Sequence, residues 1–439
     1  MLTPNKQLFP ITVTELNHDG KGVGRINDKV TFIDNALPGE EVLFYYTKKR
    51  SKFDCGIAVE ILTAAKTRID PICKHFTTCG GCCLQHLEPS EQLIFKAKKI
   101  TDLLKHVGEL TIENFDSILI GPTTGYRYKA RLAVKYLAKK DRLLIGFHEK
   151  SSSLIADLTS CPMLHPAIGT ILNESRELIS SFSNFNFIPQ LEIACSDRAQ
   201  AIVIRHLKPF NQNDLELINH FAAQHQLQFY SQPSGINSIN LITPNHSTPL
   251  SYLVDKDQLE IFFAPTDFTQ INHQINKQLI ERALKYLELN ENDSVIDLYC
   301  GIGNFTLPIA TKCKTVIGLE ASIPAVIQAK SNAYHNGLNN IQFLVADLSS
   351  TPLSNDLPKM NKHHKILLDP PRSGAKEICS YLSELDCKKI IYVSCNPATF
   401  ARDAKIITSK QRYRLSKISL ADMYPHTSHL ELIACFDCY

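Results

Sequence analysis

Residues 294–306 read Ser-Val-Ile-Asp-Leu-Tyr-Cys-Gly-Ile-Gly-Asn-Phe-Thr. An apolar run of strand length that passes through Asp297 and then meets Gly301 and Gly303 is the pattern of a strand, a tight turn and a helix. In open α/β sheets, ligands bind where such strands end, because glycines let the backbone approach them closely. A pair of glycines is weak support by itself, so the neighbouring sequence has to agree. TVIGLE (315–320), IQFLVAD (341–347), KILLDP (365–370) and KKIIYVSC (388–395) are further strand-length apolar runs, separated by helical stretches such as Lys277–Leu289 and Pro324–Asn336. This alternation predicts a parallel sheet covered by helices. The closing run LELIACF (430–436) is expected to add an edge or antiparallel strand.

The ends of these runs carry chemistry. Glu320, 14 residues after Thr306, can accept hydrogen bonds from both hydroxyls of a ribose, and Asp347 suits the edge of an adenine. A dinucleotide fingerprint needs a glycine where Thr306 stands, so a nicotinamide cofactor fits less well than another nucleoside. In Asp369-Pro370-Pro371-Arg372 two prolines lock an extended turn and hold Asp369 at the ligand edge. Cys395, in Ser394-Cys395-Asn396-Pro397, ends the fifth run at the same edge. Cysteines that end apolar strands are usually inert and buried, but here Pro397 turns the chain away and the sulfur is expected to face the cleft. A thiolate adding to carbon 6 of uracil makes carbon 5 nucleophilic toward an electrophilic methyl group, and a base must then remove the carbon-5 proton. Glu431, at the start of the last strand, is the carboxylate nominated for that task; the alternative is an exposed edge residue.

Working toward the N-terminus, residues 8–62 read as five short strands of a small OB-like barrel. Its basic run Lys48-Lys49-Arg50-Ser51-Lys52, beside Tyr45 and Tyr46, is either a solvated hairpin loop or a track for a phosphate backbone. Between 121 and 150 there are eight basic residues against two acidic ones, an excess of +6 that points to RNA or DNA. Tyr126, Tyr128 and Tyr136 lie among those charges as stacking faces or as core residues. Cys73, Cys79 and Cys82 fall within ten residues, with Cys83 adjacent and Cys161 far downstream. Four such thiolates can hold a metal centre, and the spacing does not separate an iron–sulfur cluster from zinc.

Composition sets the frame. The chain has 439 residues, enough for two to four domains, and 44% of them are hydrophobic. Net charge is only +3, so nucleic-acid binding has to be argued from local charge. No apolar run approaches a membrane span and the start lacks a secretion signal, so the chain reads as soluble and cytoplasmic, with its 14 cysteines reduced. The expected division is a barrel over 1–65, a central α+β domain over 66–265 with the metal centre and RNA-binding surface, and a Rossmann-like α/β domain over 266–439.

In combination these residues resemble the bacterial RNA (uracil-5-)-methyltransferase family, in particular its 23S ribosomal RNA members that carry an N-terminal TRAM domain and a [4Fe–4S] cluster. The resemblance spans essentially the whole chain. It rests most on DLYCGIGNFTLP (297–308), LLDPPRSG (367–374), VSCNPATFARD (393–403) and DMYPHTSHLELI (422–433). It implies a class I methyltransferase domain that uses S-adenosyl-L-methionine, with contacts from Gln270, Tyr299, Asn304, Glu320, Asp347 and Asp369. Tyr299 stands where many relatives have phenylalanine, and Asp347 where some have asparagine. The resemblance further implies Cys395 as nucleophile, Glu431 as base, and Cys73, Cys79, Cys82 and Cys161 as cluster ligands, with Cys83 left over. Phe268 becomes a candidate for stacking on the target base. The implied partner is folded 23S ribosomal RNA with one uridine flipped out, with no membrane and no obligate protein partner. The barrel is taken to argue against the transfer-RNA branch. Rival readings are the same reaction on transfer RNA, an RNA-binding redox sensor, and a nicotinamide enzyme.

Overall fold

The structure, a computed structural model, describes residues 7–256, 258–349, 365–383, 385 and 387–439. The N-terminal barrel is built from β1 (Phe9–Thr12), β2 (Glu15–Leu16), β3 (Gly22–Ile26), β4 (Lys29–Asp34), β5 (Glu41–Lys49) and β6 (Phe53–Thr63), in the order β1-β5-β6-β4-β3-β2. Alternation along these short strands turns Ile11, Ile33, Val42 and Phe44 into one core. There are six strands where five were expected, because ITVTEL divides into β1 and β2. Lys48 and Lys49 are not in a loop: they end β5 and pair with Cys55 and Asp54 of β6.

The central part follows α1 (Pro89–Leu103) and β7 (Ser117–Leu119). It comprises β8 (Lys129–Leu137), β9 (Arg142–Gly146), α2 (Pro166–Gly169), α3 (Leu172–Ser180), β10 (Gln190–Cys195), β11 (Gln200–Arg205), α4 (Gln212–His225), β12 (Leu227–Gln232) and β13 (Asn240–Leu241). Its sheet runs β13-β12-β11-β10-β8-β9, and a hairpin of β14 (Ser251–Val254) and β15 (Leu259–Phe262) leads onward.

The rest of the chain alternates: α5 (His273–Leu287), β16 (Ser294–Leu298), α6 (Thr306–Ala310), β17 (Thr315–Glu320), α7 (Ile323–His335), β18 (Ile341–Val345), β19 (Lys365–Leu368), α8 (Lys376–Leu382), β20 (Lys389–Ser394) and α9 (Pro397–Thr408), then β21 (Tyr413–Ala421) and β22 (Glu431–Cys438). The eight-stranded sheet runs β18-β17-β16-β19-β20-β22-β21-β7, with β16 to β20 parallel. Strand order reverses between β16 and β19, and that switch point is where an open α/β sheet leaves room for a ligand. Both faces are covered, so the strands are apolar throughout; Leu298, Ile366, Leu368 and Ile390 have no exposed surface.

Two features depart from the sequence reading. β22 is not an edge strand, because β21 pairs along its outer side and β7 pairs in turn with β21. Residues 89–119 lie against the C-terminal sheet, since β7 completes it and Ile100 of α1 and Leu104 just after it share a core with Ile296 and Leu298.

Candidate active site

The turn after β16 is set by backbone strain. Tyr299 (φ 63°), Gly301 (φ 54°) and Gly303 (φ 98°) all adopt left-handed conformations. A Cβ on Gly303 would lie 2.3 Å from Leu307 Cδ1, so only glycine lets α6 begin there. Glu320 accepts from Gly301 N (3.2 Å) and Ser322 N (2.8 Å), and so closes the turn from the neighbouring strand. Asp297 is fully buried; one oxygen accepts from Thr306 Oγ1 at 2.5 Å, and Oδ1 has no partner. Burial, helped by the negative fields of Asp369 and Glu320, pushes its carboxyl up to about 7.

The other expected cofactor residues border this turn. Gln270 Nε2 donates to Asp369 Oδ2 at 3.4 Å, and burial raises Asp369 to about 7. Asp347 accepts from Ser349 N (2.9 Å) and Oγ (2.7 Å), bonds that hold its carboxyl below the usual range, and its charge reaches Tyr299. Asn304 forms a reciprocal amide pair with Asn276 (2.8 and 2.9 Å), and its Oδ1 also accepts from Tyr252 Oη (3.0 Å). Asn276 and Tyr252 escaped the sequence reading. A buried asparagine on the apolar face of α5 was the one available signal.

The expected nucleophile and base are brought together by strand register. β20 and β22 are antiparallel with Ser394 opposite Leu432, so the next position on each, Cys395 and Glu431, brings thiol and carboxylate to adjacent strand ends. Asn396 caps α9 by accepting from Ala398 N (3.2 Å), and its Nδ2 donates to Arg372 O (2.9 Å), which ties the cysteine turn to the Asp369-Pro370-Pro371-Arg372 turn. Cys395 is half-buried. Its thiol is pushed up to about 12, first by burial, then by the fields of Glu431 and Asp369, with Arg372 opposing. Glu431 is 2% exposed, its Oε2 has no partner, and burial together with Asp369 raises its carboxyl well above the usual range. Burial and the neighbouring carboxylates thus favour the uncharged form of both groups in the free site. Arg372 Nη2 lies 3.1 Å from His429 Nδ1, and burial beside these cations brings His429 down to about 4, which leaves it neutral. Phe268 is 78% exposed.

A second centre lies in the loop before α1. Cys73, Cys79, Cys82 and Cys161 line one cavity with Phe147 and Arg127. Gly80 N donates to His148 O at 2.8 Å, and a Cβ on Gly80 would lie 2.9 Å from that oxygen, so the loop needs glycine to seat against the strand partner. Gly81 N points at Cys79 Sγ (3.4 Å), and the amides of Met163 and Leu164 point at Cys161. Burial pushes Cys79 up to about 11 and Cys82 up to about 12. Among the described residues, no three His, Cys, Asp or Glu side chains are drawn together tightly enough to hold a single metal ion.

The stacking faces read from sequence are spoken for. Tyr126 is buried and donates to Pro425 O (3.0 Å), Tyr128 stacks on His273 at 3.9 Å, and Tyr136 packs edge-on against Phe185. Lys49 sits 4.2 Å over the ring of Tyr46. Of the eight basic residues in 121–150, Lys129 turns inward toward Glu192, and Lys150 lies over Phe76. Arg131, Lys135, Lys139, Lys140 and Arg142 remain at the surface.

Residues 89–435 match the family described as tRNA (uracil-5-)-methyltransferase, and residues 5–43 match the TRAM domain. A Nitrosococcus oceani protein named 23S rRNA (uracil(1939)-C(5))-methyltransferase RlmD is 44% identical over 97% of this chain and 95% of its own length. One of the same name from Francisella tularensis subsp. novicida is 41% identical over 98% and 97%. Among solved structures, the Pyrococcus abyssi tRNA (uracil-54, C5)-methyltransferase in complex with S-adenosyl-L-homocysteine shares the fold, with a TM-score of 0.73 at 22% identity over 97% of this chain and 99% of that one. A transfer-RNA enzyme thus shares nearly the whole architecture, and the barrel does not by itself exclude that branch. The case for ribosomal RNA rests on the sequence relatives.

Proposed function

The chain belongs to the RNA uracil-5-methyltransferase family, and from that premise we propose that it methylates carbon 5 of a specific uridine in 23S ribosomal RNA, using S-adenosyl-L-methionine and a covalent adduct between Cys395 and carbon 6. The observation that carries this reading is the placement of Cys395 beside Glu431 and Asp369 at the carboxyl edge of the sheet. The cofactor supplies an electrophilic methyl group on a cationic sulfur. The glycine turn with Tyr299, Asn304, Glu320, Asp347, Gln270 and Asp369 would hold it, and the buried acids Asp297 and Asp369 suit a positive charge beside them.

Within that site the Cys395 sulfur would bond to carbon 6, and the electron pair displaced onto the ring would let carbon 5 take the methyl group as its bond to the cationic sulfur breaks and a neutral thioether leaves. The carbon-5 proton then passes to Glu431 as carboxylate, the carbon–sulfur bond breaks, and the thiolate is released. The attack needs Cys395 as thiolate and the last step needs Glu431 as carboxylate, so each group gives up its own proton before it acts. A half-buried thiol cannot reach carbon 6 of a stacked base, so the uridine is extruded from its RNA, with exposed Phe268 as a stacking surface.

The cysteine set fits an iron–sulfur cluster. Four thiols surround a cavity rather than a point, and amides directed at Cys79 and Cys161 stabilise sulfur ligands that carry negative charge. Cys73, Cys79, Cys82 and Cys161 would be its ligands. No helix among the described residues is long and apolar enough to cross a membrane, and a ribosomal RNA substrate implies action in the cytoplasm.

Two variants test the mechanism with labelled S-adenosyl-L-methionine and 23S ribosomal RNA. Cys395→Ala abolishes methyl transfer while RNA binding persists; full activity would end the covalent mechanism. Glu431→Gln lets a protein–RNA adduct accumulate on denaturing gels, and rapid turnover without adduct removes Glu431 from its role. The same reaction on transfer RNA is separated by offering both purified RNAs.

A further inference from the structure

The segment 422–428, which leads directly into Glu431, is held at nearly every residue by groups from α1 and from the cysteine loop. Lys96, fully buried, donates from Nζ to Asp422 Oδ1 (2.5 Å) and Tyr424 O (2.9 Å). Tyr126, which also lines the cysteine cavity, donates to Pro425 O (3.0 Å). Gln92 accepts from His426 N (2.9 Å), while its Nε2 donates to Leu84 O (3.0 Å) and Leu87 O (2.8 Å) and lies 3.3 Å from His426 Nδ1. Cys83 N (3.0 Å) and Leu84 N (2.9 Å) both donate to His426 O. Ser428 N donates to Cys83 Sγ (3.2 Å), and Lys99 Nζ reaches Ser428 O (3.2 Å). His426 itself sits at φ 65°, a left-handed conformation that a histidine keeps only where its surroundings impose it.

We propose that Cys83, Leu84 and Gln92 form a brace that passes the closed shape of the cysteine loop to the Glu431 strand, so that the loop positions the proton acceptor of the reaction. Cys83, the cysteine left over from the ligand set, acts as a hydrogen-bond acceptor for the backbone of Ser428. Its neighbour Cys82 lines the metal-site cavity, so a displacement of Cys82 is carried through Cys83 and Leu84 to His426 and on to Glu431. Cys395 stands on a different strand and is not held by this brace. Loosening the brace therefore spares formation of the carbon–sulfur bond and methyl transfer, and slows removal of the carbon-5 proton.

This inference rests on Glu431 being the base, and the test separates the two. Holoenzymes carrying Gln92→Leu, Cys83→Ala, Cys83→Ser or Glu431→Gln are compared for kcat, KM for 23S ribosomal RNA, iron content, and the fraction of protein trapped as RNA adduct on denaturing gels. Gln92→Leu and Cys83→Ala are expected to lower kcat by about tenfold or more, as a displaced catalytic group does, with KM and iron content retained and adduct raised toward the Glu431→Gln level. Cys83→Ser, which keeps an acceptor, restores most of the rate. Turnover and adduct falling together, or adduct rising only where iron is lost, would overturn the brace, and Cys83→Ala decides the matter if Gln92→Leu does not fold. If Glu431→Gln accumulates adduct and the brace variants do not, the brace alone fails. If Glu431→Gln gives no adduct, the base assignment fails and the brace falls with it.

Discussion

At Asp297 one buried oxygen is satisfied by Thr306, and the other has no partner among the described residues. The unfolded chain releases this proton near the usual carboxylate value, whereas the folded protein keeps it until about pH 7. Across that window the folded state binds more protons, so the contribution of Asp297 to stability falls as pH rises and levels off above the folded value. Asn at 297 keeps the acceptor for Thr306 and removes the titration. Thermal melts of the cofactor-free protein should therefore show Asp297→Asn gaining on the parent between pH 4.5 and 7.5; a constant difference over that range would contradict it. The places of Cys395, Asp369, Glu320 and Asp347 at one edge of the sheet were legible in the sequence because each ends an apolar run. Gln92, Lys96 and Cys83 were not, since their partners in 422–428 lie more than 300 residues away and no local pattern marks them.

At the scale of elements, the apolar runs of β16 to β20 were readable because parallel strands buried on both faces contain little else. β21 was passed over because its first half alternates, as YRLSK does, and its partner could not be inferred from spacing; without it β22 looked like an edge. The turn into α6 gives the sharpest test of an element. Gly303→Ala places a Cβ at φ 98° and against Leu307, and should cost about 1–3 kcal/mol in urea unfolding. It should also weaken S-adenosyl-L-homocysteine binding in calorimetry if the strained turn is the cofactor's cradle, as proposed. A variant with parental stability and affinity would show that the turn relaxes without consequence.

For the whole molecule, the expected central part begins at residue 66, yet residues 89–119 within it complete the C-terminal sheet. Lys21 of the barrel meets Ser151, and Lys150 meets Asn35, so the barrel is tied to the turn that follows β9. Surface charge is concentrated where β8 and β9 meet, at Lys135, Lys139 and Lys140. Changing these three to Glu should weaken RNA binding at low salt and flatten the plot of log affinity against log salt, by about 0.7–0.9 for each phosphate that is no longer neutralised. A parallel plot would place the RNA elsewhere.

Between Ser428, whose amide and carbonyl are both pinned, and Glu431 there are only His429 and Leu430. Three residue steps reach about 10–11 Å at full extension, so this tether is short. Losing a single codon here would pull the carboxylate short of its place or drag the strand one step along its neighbours, and a one-step slip turns every side chain of β22 to the opposite face. The stretch does not tolerate a change in length.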